Sequence, residues 1–224
     1  MKRLLILLLC IVLAGCTNIN NDENLIEKLN YFFNFQDNNY DIRFNHTSKY
    51  FTYYLPSDVI EIDSNVNAAI LKFNNSNIIM NLNITGIIDD ANDAYTGFRK
   101  DGFFDDKKLI STYYGELINA DNISTKYNYD LYKDNDEYLI HFITSDLNFY
   151  VTTIYSDVFN ITRRLMLIAS STSVDRDAVI NEYFNKNIID YDKKQINLFE
   201  YSMPSSGLLS ELVDYTNGTI NPKE

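Results

Sequence analysis

The chain is poor in the residues that most often carry catalytic chemistry. It has no Trp, three Pro, seven Gly, two His and two Cys in 224 residues. Both cysteines, Cys10 and Cys16, lie within the first sixteen residues. The long remainder therefore holds no disulfide framework, no thiol nucleophile and no cysteine metal site. The glycines are scattered and form neither G-x-G-x-x-G nor a Walker sequence, so a phosphate cradle is not expected. With His46 and His141 as the only histidines, zinc lacks ligands. The calcium-loop pattern also fails: the third position from Asp89 is Ala91, and the fifth from Asp134 is Tyr138. Asp89, Asp90, Asn92 and Asp93 read as a solvated helix start. No metal and no cofactor are expected.

What is present begins at the N-terminus. Lys2 and Arg3 precede an apolar run from Leu4 to Val12, which closes on Leu13-Ala14-Gly15-Cys16. The run is too short to span a bilayer and has the charged start of a signal peptide. The closing four residues resemble the lipobox of bacterial lipoproteins. That resemblance implies cleavage before Cys16, a lipid on its thiol, and a mature protein anchored at the outer face of the cytoplasmic membrane, facing the extracellular side or a periplasm. The expected organisation is a signal peptide over 1–15, lipidated Cys16 and tether over 16–24, and a single globular α+β domain over 25–224, with 210–224 as a candidate flexible tail.

Without Lys2 and Arg3, 17 basic side chains face 31 acidic ones, a formal charge of about −14. Such a balance argues against nucleic acid and against docking flat on an anionic membrane, and favours a monomer. Tyr (18) and Phe (14) are frequent alongside Asn, Ile, Asp and Lys, the usage of an AT-rich genome.

Periodicity supplies the elements. Leu25, Ile26, Leu29, Phe32 and Phe33 recur at helical spacing, with Asn21 or Asp22 as N-cap. Tyr50 to Leu55 is β-prone and stops at Pro56. Ala68 to Phe73 and the alternation Ile78, Met80, Leu82, Ile84 form a hairpin through Asn74, Asn75 and Ser76, with one buried face. From Ile87 to Asn122 the pattern is weak: Asp89, Asp90 and Asp93 could open a helix, and Leu109 to Ile118 fits helix or strand. Tyr127 to Tyr132, Tyr138 to Thr144 and Asn148 to Tyr155 alternate and are joined by turns of a few polar residues, which forces antiparallel neighbours. Arg164 to Ser170 reads as a further strand. Ser173 is the expected cap of a helix containing Val174, Ala178, Val179, Tyr183 and Phe184, packed on the sheet. Pro204-Ser205-Ser206-Gly207 marks a turn before a short helix over Leu208 to Asp214.

The expected fold class is α+β, an antiparallel meander covered by helices. In element order and in Tyr53-Tyr54-Leu55-Pro56 it resembles the PsbP/Mog1 group of α/β/α sandwiches, over Tyr50 to Asn187. That resemblance implies a binding or assembly module and transfers no site residue.

For nucleophilic catalysis a base must lie beside the nucleophile. His141 shares a strand face with Leu139 and Ile143 and reads as a hydrogen-bonded sheet histidine; His46, in Asn45-His46-Thr47, reads as exposed. Ser206-Gly207 lacks the preceding Gly of a nucleophile elbow. Arg163-Arg164 suits nearby carboxylates. The tyrosines 113, 114, 127, 129, 132, 138, 150 and 155 gather in the second half, and those on the solvent side of a sheet suit protein or sugar recognition. The reading is a non-catalytic envelope module with a protein or glycan partner and no identified ligand residues. Its rivals are a carboxylate-dependent polysaccharide hydrolase and a small solute-binding accessory protein.

Overall fold

The computed structural model describes residues 21–35, 43–91, 98, 104 and 106–183. The chain divides into two compact units, residues 1–36 and 37–224, and each is described by itself. In the first, helix α1 (Asn21–Phe35) spans the apolar periodicity, and Asp22 and Glu23 in its first turn oppose the positive end of its dipole.

The second unit runs β1 (His46–Thr47), β2 (Phe51–Tyr53), β3 (Ile60–Ser64), β4 (Ala68–Phe73), β5 (Ser76–Leu82), α2 (Ile84–Ala91), β6 (Lys108–Ile118), β7 (Ser124–Asp134), β8 (Glu137–Thr144), β9 (Leu147–Ile154), α3 (Tyr155–Ser170), β10 (Ser173–Val174) and α4 (Arg176–Tyr183). Seven strands form one antiparallel sheet in the order β3-β4-β5-β9-β8-β7-β6, and β1, β2 and β10 form a second, smaller one. The fold is α+β. Asn74 and Asn135, at the β4–β5 and β7–β8 turns, adopt positive φ (52° and 54°), which asparagine tolerates better than most residues.

Register divides the large sheet into two faces. On one, Met80, Phe149, Phe142 and Tyr129 stand side by side across four strands. Helix α3 packs on β8 and β9 over this face, burying Val158, Ile161, Leu165 and Ile168 at intervals of three or four residues. The Thr162 hydroxyl donates to the Val158 carbonyl (2.8 Å), so the buried Tyr129 hydroxyl must donate to Thr162 (2.7 Å). On the opposite face Phe104 packs with Ile79, Leu139 and Tyr150. The β4–β5 hairpin is consequently buried on both faces, not on one as its alternation implies.

Several expectations are corrected. Ile84 does not extend β5: Asn83 caps α2 instead, its Oδ1 accepting from Gly86 N–H (3.0 Å) while its Nδ2 donates to the Thr144 carbonyl (2.9 Å). A Cβ at Gly86 would lie 2.8 Å from the Ser145 carbonyl oxygen, so this helix turn can sit against the β8–β9 turn only as glycine. Asp89 and Asp90 lie near the end of α2 rather than opening a helix, and Asp90 is ion-paired to Arg176. Arg164 to Ser170, read as a strand, is the second half of α3, and Tyr155 opens that helix rather than closing β9. Ser173 and Val174 pair with β2; the cap of α4 is Asp175, whose Oδ1 accepts from Ala178 N–H (3.0 Å). Helix α4 lies beside α2, and α3 is the helix on the meander. Asn92, Asp93, Phe184, the turn at 204–207 and the helix expected over 208–214 fall outside the described residues.

Candidate binding face

Strand parity builds the site. Along β6 and β7 the even-numbered positions point to the face opposite α3, and register sets them in rows. One row runs Ile70, Ile79, Tyr150, His141, Asp130, Thr112; the next runs Ala68, Asn81, Asn148, Ile143, Asn128, Tyr114. The first passes from apolar side chains on β4 and β5 to polar ones on β7 and β6; the second is already polar at the buried Asn81 on β5 and ends on Asn128 and Tyr114. Burial falls in the same direction: Asp130 and Asn128 are buried, Thr112 and Lys126 are exposed, and Tyr114 is 66% exposed. Beyond them Glu116 stands opposite Lys126, and Ile118 opposite Ser124. The face is thus closed at its centre and open toward β6.

Its polar centre is organised around Asp130. The carboxylate accepts from the Thr112 hydroxyl, from Asn128 Nδ2 (2.9 Å) and from the Tyr132 hydroxyl (3.4 Å). A buried carboxylate needs such donors, and here all three are side chains. Beside it His141 stacks on Tyr150 (centroids 4.8 Å apart, planes at 7°), with Nε2 2.9 Å from Asn148 Oδ1. Asn148 Nδ2 donates to the Tyr150 hydroxyl (2.8 Å). The imidazole is engaged with an amide, and the Thr112 hydroxyl meets a carboxylate with no imidazole between them. That differs from the base-activated hydroxyl of acyl-transfer sites. The arrangement offers oriented hydroxyl and amide groups beside a tyrosine ring.

The other candidates disperse. His141 is the hydrogen-bonded sheet histidine its strand face implied. His46 is half-buried, its Nδ1 3.1 Å from Asn45 Oδ1. Arg164 forms a forked pair with Asp58 and lies over the Phe73 ring (4.2 Å), and its hydrogen bonds, then its charge, hold the Asp58 carboxyl below the usual range. Arg163 is exposed. Of the tyrosines, 127, 129, 138 and 150 are buried, and 113, 132 and 155 half-buried. Burial pushes the phenols of Tyr113, Tyr127 and Tyr129 up, so they stay neutral. Tyr114 alone of this set is well exposed. Thr112, Asn128 and Asp130 were not singled out from sequence. The usable signal was the parity of Lys126, Asn128, Asp130 and Tyr132 against Tyr127, Tyr129 and Leu131. Among the described residues no group of three or more His, Cys, Asp or Glu could hold a metal ion, and no helix is long and apolar enough to cross a membrane. Cys16 lies outside the described residues.

Comparison with protein-family models, with curated proteins and with solved structures finds no match.

Proposed function

We propose that the protein is a lipid-anchored, non-catalytic binding or assembly module of the cell envelope, held at the membrane through Cys16 and engaging an envelope protein or glycan with the open end of the sheet face at Thr112, Tyr114, Glu116, Ile118 and Lys126. The observation that carries the reading is the exposed Tyr114 ring beside the oriented Thr112, Asn128 and Asp130 groups. A rigid aromatic with a polar tip, next to prearranged hydrogen-bonding atoms, suits polar partners better than apolar ligands. The acidic balance favours a neutral or basic partner.

Two measurements test this. Cys16→Ala should abolish fatty-acid labelling of the protein in its native cells, and undiminished labelling would refute the anchor. A photo-crosslinking side chain at position 118 should capture a partner that the same group at Asp136, in the β7–β8 turn, does not. Tyr114→Ala should lower that capture about tenfold or more, the effect of losing a central interface aromatic. Equal capture from both positions removes the binding face. Release of soluble fragments from purified peptidoglycan, lost in Asp130→Asn, would replace it with hydrolysis.

A further inference from the structure

Helix α1 carries a second surface. At about 100° per residue, Leu25, Ile26, Leu29 and Phe33 share one side of the helix, the side an amphipathic helix buries. The opposite side, within an arc of about 60°, holds Asn24, Lys28, Tyr31 and Phe35. Tyr31 and Phe35 are 69% and 71% exposed, the two most exposed large hydrophobic residues among those described. One turn apart, their rings touch at 4.9 Å between centroids and present a single aromatic patch, with exposed Lys28 on the same stripe. A paired, solvent-facing Tyr and Phe opposite the apolar side of a helix is not needed to fold it.

Sequence distance says what meets this patch. Only four residues separate Cys16 from the first residue of α1, a reach of at most about 18 Å between their Cα atoms. A lipid on Cys16 would hold the first residue of α1 within about that distance of the headgroups, and Tyr31 and Phe35 lie about 15 to 21 Å further along the helix. We infer that α1 lies along the bilayer interface of the anchoring membrane, with Tyr31 and Phe35 seated at headgroup depth; this rests on lipidation of Cys16. The Tyr31 ring, with its polar tip, favours that depth, the Phe35 ring adds apolar area toward the acyl boundary, and a lysine beside them can reach lipid phosphate. Asp22, Glu23 and Glu27 outnumber Lys28, so the surface suited to the helix is zwitterionic rather than strongly anionic. An aromatic patch on the helix adjoining the lipidated cysteine adds a second membrane contact at high effective concentration.

The test uses the acylated protein, purified from its own membranes and reconstituted in phosphatidylcholine vesicles. Beyond Cys16 the mature sequence has no cysteine, so Lys28→Cys, on the same stripe as Tyr31 and Phe35, and, as a control, Asp136→Cys each accept one nitroxide. Paramagnetic relaxation should show position 28 shielded from a polar relaxer and open to oxygen, each by severalfold relative to position 136. Tyr31→Ser with Phe35→Ser should restore water-like accessibility at position 28 while helicity by circular dichroism is retained. Equal accessibility at 28 and 136 on a protein whose mass shows the acyl group overturns the inference and leaves the anchor intact. A mass showing unmodified Cys16 overturns both.

Discussion

Replacing Phe142 by Ala is expected to cost about 3 to 5 kcal/mol of stability, enough to lower the melting temperature by roughly 10 °C or more. The ring is fully buried in β8 and lies between Tyr129 and Phe149 in the row covered by α3. It stacks with Phe149 (5.5 Å, 20°), meets Tyr127 edge-on (5.8 Å) and contacts Tyr129 (6.2 Å). Its neighbours stand on hydrogen-bonded strands and cannot slide into the space, so transfer and cavity costs both apply. Phe142→Leu, which keeps most of the volume, should cost about 1 to 2 kcal/mol. Calorimetry of the two variants decides it; an Ala variant within about 1 kcal/mol of the parent would mean that this row is not the core.

The second large effect is electrostatic and depends on pH. Arg176 at the start of α4 reaches Asp146 in the β8–β9 turn (Nε 2.8 Å, Nη2 2.6 Å) and Asp90 on α2. The Asp146 side chain is 7% exposed. Burial pushes its carboxyl above the ordinary value, and the Arg176 charge and hydrogen bonds pull against that rise. A carboxyl raised by folding is protonated more readily in the native protein than in the unfolded chain, so its ionisation lowers stability as pH climbs from the ordinary value through the raised one. Arg176→Ala removes the opposing pull and widens that interval. The variant should lose about 3 kcal/mol at neutral pH, where a buried charge is left unpaired, and recover most of it near pH 4. Adding Asp146→Asn should restore much of the loss at pH 7. Urea titrations at both pH values provide the measurement, and a loss independent of pH would show that packing of the Arg176 stem, not charge, is what it supplies. Asp58, lowered by Arg164, behaves oppositely: its contribution is present above the ordinary carboxyl value and disappears as pH falls through the depressed one.

The meander was legible because β7, β8 and β9 are rich in β-branched and aromatic residues and their turns contain Asp134-Asn135-Asp136 and Ser145-Asp146. Where sequence failed, a boundary was hidden. No Gly or Pro separates β9 from α3, and Ile154 at the N-cap makes no side-chain capping bond, so the β-branched run passes into the helix without a signal. Seen from Tyr155, the buried positions 158, 161, 162, 165, 168 and 169 keep helical spacing; the shorter apolar window from Arg164 cannot be told from a strand. Asn83 continued the alternation of β5 in sequence while serving as a cap in space. Ser173 is a good cap by type, yet β2 offers it a ladder, and Asp175 two residues later does the capping. Tertiary pairing overrode local preference there. The candidate face was partly visible as exposed tyrosine, but leaving Leu109 to Ile118 open between helix and strand concealed that Thr112 and Tyr114 share a side with Asn128 and Asp130.

Both outermost strands of the large sheet are irregular. The pairing of β3 with β4 slips at Ile62, and that of β6 with β7 slips at Ile110, each strand carrying one extra residue. Ile60 and Ile62 on the first, and Leu109 and Ile118 on the second, are exposed, and such margins are prone to zip onto another chain. An extra residue there coils the margin and breaks the even spacing of its outward amide and carbonyl groups. Under the proposed anchoring at Cys16, copies would be confined to two dimensions, where neighbours collide far more often than in bulk fluid. Crowded copies would then meet along bent margins that cannot match for more than a few residues, which would keep such an array fluid.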